Sequence, residues 1–76
     1  METRLAVVLW NENHLVMVRW YATPAEQRAA WDMANDMDDQ WRTNCEIRMW
    51  PEHAELMPDH IVAKVQAASA TGARIG

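Results

Sequence analysis

Five tryptophans in 76 residues, with no phenylalanine and one cysteine, constrain this chain more than any other feature. Each indole covers about 150–250 Å² of surface when buried. A core this small cannot enclose five of them, so part of that area must lie at a surface or against a partner. Below about 70–80 residues a lone core supplies only a few kcal/mol of net stability. Cys45 alone cannot form an internal disulfide, so large side chains, or a core shared with another chain, must do what a staple would.

Apolar and charged fractions of 50% and 24% belong to a folding chain. The expectation is one small domain over residues 1–76, with 71–76 as a frayed tail. No apolar run approaches the roughly 18–20 residues of a membrane span, and residues 1–4 lead straight into alternating sequence rather than a signal segment. Together with a lone cysteine, this places the chain in a reducing cytoplasm, with no membrane partner.

Residues 3–10 and 14–21 are β-branched and aromatic, separated by polar Asn11, Glu12 and Asn13. This is strand, tight turn, strand. Thr23, Pro24 and Glu26 then carry the signature of a capped helix start. Ala25, Ala29, Met33, Met37 and Trp41 follow at four-residue steps, with Ala30 and Ala34 beside them, predicting a helix over 24 to about 40 that buries this stripe. Residues 44–50 alternate as a third strand ended by Pro51, residues 52–56 suit a single turn, and 58–70 form a second helix with Ile61, Val65 and Ala68 inward and Gly72 as its stop. The fold class is α+β: order ββαβα, a three-stranded, mainly antiparallel sheet with one helix on one face and a C-terminal helix.

Strict alternation divides the sheet in two. Leu5, Val7 and Leu9, with Val16, Val18 and Trp20 and with Cys45, Ile47 and Met49, make an apolar face for the first helix, where Cys45 is core. The other face collects Arg4, Ala6, Val8, Trp10, Leu15, Met17, Arg19, Tyr21, Glu46, Arg48 and Trp50. Trp, Tyr, Met and Arg are the residues that dominate interface hot spots, so Trp10, Arg19, Tyr21, Arg48 and Trp50 are candidate anchors for a protein partner. Two plainer readings stand beside this one: the second helix folds over the face, or two copies close it as a homodimer. The same residues also resemble a stacking platform for single-stranded nucleic acid, against which stands a sequence pI near 5.1.

Charge is concentrated on the first helix. Glu26, Asp32, Asp36, Asp38 and Asp39 face only Arg28 across residues 24–40. Asp32, Asp36 and Asp39 are expected on the side away from the apolar stripe, with Trp31 beside them, as a second patch for a basic partner or as a solvated face. His14, His53, His60 and Cys45 match no zinc spacing. Glu52, His53 and Glu55 lack a nucleophile or phosphate loop. No metal, cofactor or catalytic residue is therefore assigned.

The hairpin, the Thr23-x-x-Glu26 start of a helix carrying Ala29, Ala30 and Ala34, and the strand at 45–49 resemble small accessory proteins of actinobacterial bacteriophages over residues 3–50. That resemblance implies a non-enzymatic protein that acts by binding, often on a host protein. The resulting expectation is a cytoplasmic module that docks on a protein through the sheet face and the acidic helix face.

Overall fold

The computed structural model describes residues 4–12, 14–41 and 45–76, with 37–41 as helix backbone alone. The order is β1 (Leu5–Asn11), β2 (His14–Tyr21), α1 (Pro24–Trp41), β3 (Cys45–Trp50), a 3₁₀ turn (Ala54–Leu56) and α2 (Asp59–Ser69). One antiparallel sheet runs β2-β1-β3, so the expected α+β class and ββαβα order are what the chain adopts.

The β1–β2 hairpin closes where Asn11 pairs with His14, and Glu12 takes φ 52°, the left-handed geometry that tight hairpins demand. Along the ladder Leu5 meets Tyr21, Ala6 meets Trp20, Val8 meets Val18 and Leu9 meets Met17. Trp10 then pairs with Leu15, which leaves Val16 as an extra residue on β2. This bulge overturns the expected sorting of β2. A bulge inverts the in-out parity of everything beyond it. Val18 and Trp20 therefore share a face with Ala6, Val8 and Trp10, whereas Met17, Arg19 and Tyr21 lie on the face of Val7. For β1 and β3 simple alternation is correct, since Val7 pairs with Met49 and Leu9 with Ile47.

The aromatic face is covered. α2 lies across it, and one cluster joins Ala6, Val8, Trp10, Val18 and Trp50 to Met57, Ile61 and Val65. Val8, Val18, Ile61 and Val65 are fully buried there, each stabilising the fold by about 1.5–3 kcal/mol. The α2 stripe is the expected Ile61, Val65 and Ala68. After Ser69 the helix ends around Gly72 at φ 71°, where Ala73 N–H reaches back to the Ala68 carbonyl at 3.0 Å.

α1 starts as the sequence indicates. Thr23 Oγ1 accepts from Glu26 N–H at 3.1 Å, and Glu26 Oε2 accepts from Ala22 N–H at 3.3 Å. Its roll about its own axis is turned by about a quarter from the one expected, which keeps Ala30 and Ala34 of the stripe inward but not Ala25, Ala29 and Met33. Buried Gln27 and half-buried Ala30, Trp31 and Ala34 face the sheet, while Ala25, Ala29 and Met33 are exposed. Area decides this. The Trp31 indole is larger than any of Ala25, Ala29 and Met33, so burying it removes the most apolar surface from water. The Gln27 amide also satisfies two strand-end carbonyls, donating from Nε2 to Ala6 O and Trp50 O, both at 2.8 Å.

The tail is not frayed in this fold. Ile75 pairs with Val18, Val18 N donating to Ile75 O at 3.0 Å and Ile75 N to Val18 O at 3.2 Å. Trp20 Nε1 donates to Ala73 O at 2.7 Å, and Arg19 donates to Ile75 O at 2.8 Å and to Gly76 O. Gly76 lies so close that a Cβ there would stand 2.5 Å from Val16 O. The tail thus covers the outer edge of β2.

Candidate functional surface

The candidate anchors of the sheet are dispersed. Trp10 and Trp50 are 5% and 6% exposed, inside the α2-covered core. Tyr21 lies on the opposite face, paired with Leu5. Arg19 is spent on the tail, and Arg48 donates from Nη1 to its neighbour's carbonyl, Ile47 O, at 2.8 Å and pairs with Glu46 at 3.1 Å. The expected open platform of Trp10, Arg19, Tyr21, Arg48 and Trp50 is therefore not assembled. Its indole belongs to the core because α2 supplies the cover.

Trp31 is half-buried rather than displayed beside the acids. Its Nε1 donates to Ile47 O at 3.2 Å, the Arg28 guanidinium carbon sits 5.5 Å from its ring centre, and the His53 ring is 6.0 Å away on a tilted plane. His53 Nδ1 is buried without a hydrogen-bond partner among the described residues. Cys45 is half-buried rather than core. Among the described residues no three His, Cys, Asp or Glu side chains are grouped to hold a metal ion, and no helix is long and apolar enough to cross a membrane.

What the fold displays instead is the outer face of α1. Residues four apart on a helix form a ridge with a rise of about 6 Å per step. Ala25, Ala29 and Met33 make one such ridge, all exposed, with Met33 at 64%. Arg28, Asp32 and Asp36 make the adjoining ridge, also exposed, with an Arg28–Asp32 ion pair at 3.7 Å in which both side chains are more than 60% exposed. An exposed pair of this kind contributes little to stability. The acids were expected opposite the apolar stripe. They border it, because at about 100° per residue Asp36 falls nearly in line with Ala29. The side chains of Met37, Asp38, Asp39 and Trp41 lie outside the described residues.

Two other features of the fold have the shape of a site or an edge. An open groove of about 470 Å³ runs between α2, the tail and β2, lined by Leu15, Lys64, Ala67, Ala68, Thr71, Ala73 and Ile75. It is shallow, and it converges no set of polar groups of the kind that orients a small ligand. At the outer edge of β3 two carbonyls are occupied, Ile47 O by Trp31 and Arg48 and Met49 O by His53 N–H at 3.0 Å. With Ile75 bridged to Val18 on β2, each sheet edge is covered in part.

Sequence reasoning placed Asp32 and Asp36 on the exposed side of α1 but assigned Ala25, Ala29 and Met33 to the core. It missed Gln27 altogether. The available signal was its place three and four residues before Ala30 and Trp31, the spacing of a docked face. Comparison with family models, with curated proteins and with solved structures finds no match for this chain.

Proposed function

We propose that this chain is a non-enzymatic protein-binding module that docks through the outer face of α1. The observation that carries the reading is the roll of the helix: an apolar ridge of Ala25, Ala29 and Met33, the last 64% exposed, points into solvent while the helix packs by Gln27, Ala30, Trp31 and Ala34. Exposed single apolar residues are ordinary, whereas a ridge of them at helical spacing beside a charged border is the pattern of an interaction surface. Asp32 and Asp36, at the edge of Met33, favour a partner that is basic where it meets them.

The reading extends to a phage-encoded accessory protein that acts in a host cytoplasm by altering a host protein's activity. Support for that extension is the resemblance carried by Thr23, Glu26, Ala29, Ala30, Ala34 and the strand at 45–49. The acidic α1 surface makes a nucleic-acid partner the poorer fit.

The test is affinity capture from bacterial lysate with the immobilised chain, beside Met33→Lys and Leu56→Lys. Leu56 is a comparably exposed apolar residue, 58% accessible, on the 3₁₀ turn. A protein retained by the wild type and by Leu56→Lys but lost with Met33→Lys fits docking on α1. Retention by Met33→Lys and loss with Leu56→Lys would move the surface to the 3₁₀ turn.

A further inference from the structure

The outer edge of β2 stands apart from the α1 surface, and it already holds an extended segment. Ile75 forms a reciprocal backbone pair with Val18, antiparallel to β2, its N–H donating to Val18 O at 3.2 Å and its carbonyl accepting from Val18 N–H at 3.0 Å. Two side chains of β2 are committed to the main chain of that segment. Trp20 Nε1 donates to Ala73 O at 2.7 Å, and the Arg19 guanidinium donates to Ile75 O at 2.8 Å and to Gly76 O. Side chains are read at two positions. Ile75 is half-buried against the core cluster under α2, and Gly76 takes φ 90°, where a Cβ would stand 2.5 Å from Val16 O. Ala73 and Arg74 are exposed. Main-chain pairing with one apolar seat and one position that favours glycine is how a sheet edge takes up an added peptide strand.

We propose that this edge is a strand-addition site for an extended segment of a partner protein, an apolar residue followed by glycine, and that residues 73–76 are a strap filling it in cis. The donors of β2 reach backbone carbonyls of the strap rather than its side chains, so a foreign segment can repeat those bonds. The strap is lightly held: within residues 73–76 Ile75 alone is half-buried and the others are exposed. Segments with so few buried contacts open before the rest of a fold. A partner segment that runs on past the glycine gains what the strap does not use. Val16 is 40% exposed there, and Leu15, Ala67 and Ala68 line the open groove beside α2. Residues 73–76 of a second copy would make only the bonds already made in cis, with nothing gained against the cost of joining two chains.

The probe is a synthetic amidated peptide, acetyl-Ala-Arg-Ile-Gly continued by Val-Thr-Val-Thr. It is compared with a peptide carrying proline in place of isoleucine and with one carrying valine in place of glycine. Each is titrated into the isotope-labelled full chain and into Ile75→Pro and Gly76→Val, which loosen the strap, after circular dichroism and urea unfolding show both variants folded. The expected result is a saturable shift of the Val18 amide and the Trp20 indole N–H in nuclear magnetic resonance spectra, with the wild-type Ile75 amide losing its protection as the strap leaves. Both variants should bind at least about tenfold more tightly than the wild type, which offers only the fraction of sites that its strap leaves open. The proline and valine peptides should bind at least about tenfold more weakly, the first for want of the paired N–H and the second for its Cβ against Val16 O.

Equal binding of the proline or valine peptide, shifts that spare Val18 and Trp20, or variants that bind no better than the wild type would each overturn the inference. If a variant does not fold, the other and the wild type carry the test, and no saturable shift at millimolar peptide overturns it. A dimer seen by light scattering at the same wild-type concentration, and lost in Ile75→Pro, would assign the edge to a second copy and overturn the partner strand. None of these readouts involves Met33, so docking on α1 stands or falls separately.

Discussion

Trp31 Nε1 donates to the carbonyl of Ile47 at 3.2 Å. Together with Gln27, four residues earlier, this bond fixes the roll of α1 on the sheet. Everything displayed on the far side of the helix follows from that pair of anchors, including the exposure of Met33.

Replacing Gln27 with leucine keeps the volume and removes both donors, so the carbonyls of Ala6 and Trp50 lose their side-chain partner. Each such hydrogen bond contributes about 0.5–1.5 kcal/mol. Gln27→Leu should therefore lower stability by about 2 kcal/mol, read as a lower urea midpoint at unchanged slope. A midpoint within error of the wild type would mean that Gln27 does not hold α1.

Trp10→Ala and Trp50→Ala should behave as core truncations. Both rings are more than nine-tenths buried in the cluster under α2, and losing a buried tryptophan costs about 3–5 kcal/mol. For a domain this small that approaches the whole of its stability, so both variants should be largely unfolded by circular dichroism at room temperature. Folded variants that merely lose partner binding would return these rings to an interface.

The contrast between α2 and α1 shows what the sequence could disclose. The α2 stripe of Ile61, Val65 and Ala68 was legible because large residues on one side have no competitor on the other. On α1 the longest periodic stripe runs through Ala25, Ala29, Met33, Met37 and Trp41, yet it is a tryptophan off that stripe, Trp31, that packs on the sheet. Counting apolar positions therefore placed Ala25, Ala29 and Met33 inward, where the fold leaves them exposed. The β2 error has another origin. Nothing in residues 14–21 announces the bulge at Val16, which is fixed by pairing with β1 and inverts the faces of Met17 to Tyr21. The hairpin and the Thr23–Glu26 cap were legible because they depend on neighbours in sequence.

The tail can be tested at one amide. Ile75→Pro keeps an apolar side chain but removes the N–H that reaches Val18 O and distorts the reciprocal bond. The Val18 amide should then exchange with solvent at least about tenfold faster, while amides of α1 keep their protection. Unchanged exchange at Val18 would mean that Ile75 does not guard this edge.

Asp36→Lys separates stability from function. Asp36 stands one turn from Asp32 on the exposed side of α1, and like charges at this spacing destabilise a helix by about 0.2–0.5 kcal/mol. Lysine there converts repulsion into an Asp–Lys pair in the favourable order, with the acid nearer the N-terminus. The urea midpoint should rise by the equivalent of about 0.5 kcal/mol, and binding of a basic partner should weaken in the same variant. A gain in stability joined to a loss of binding is what a residue kept for recognition would give. If stability rises and binding is unchanged, Asp36 belongs to a solvated face and the docking surface reduces to the ridge of Ala25, Ala29 and Met33.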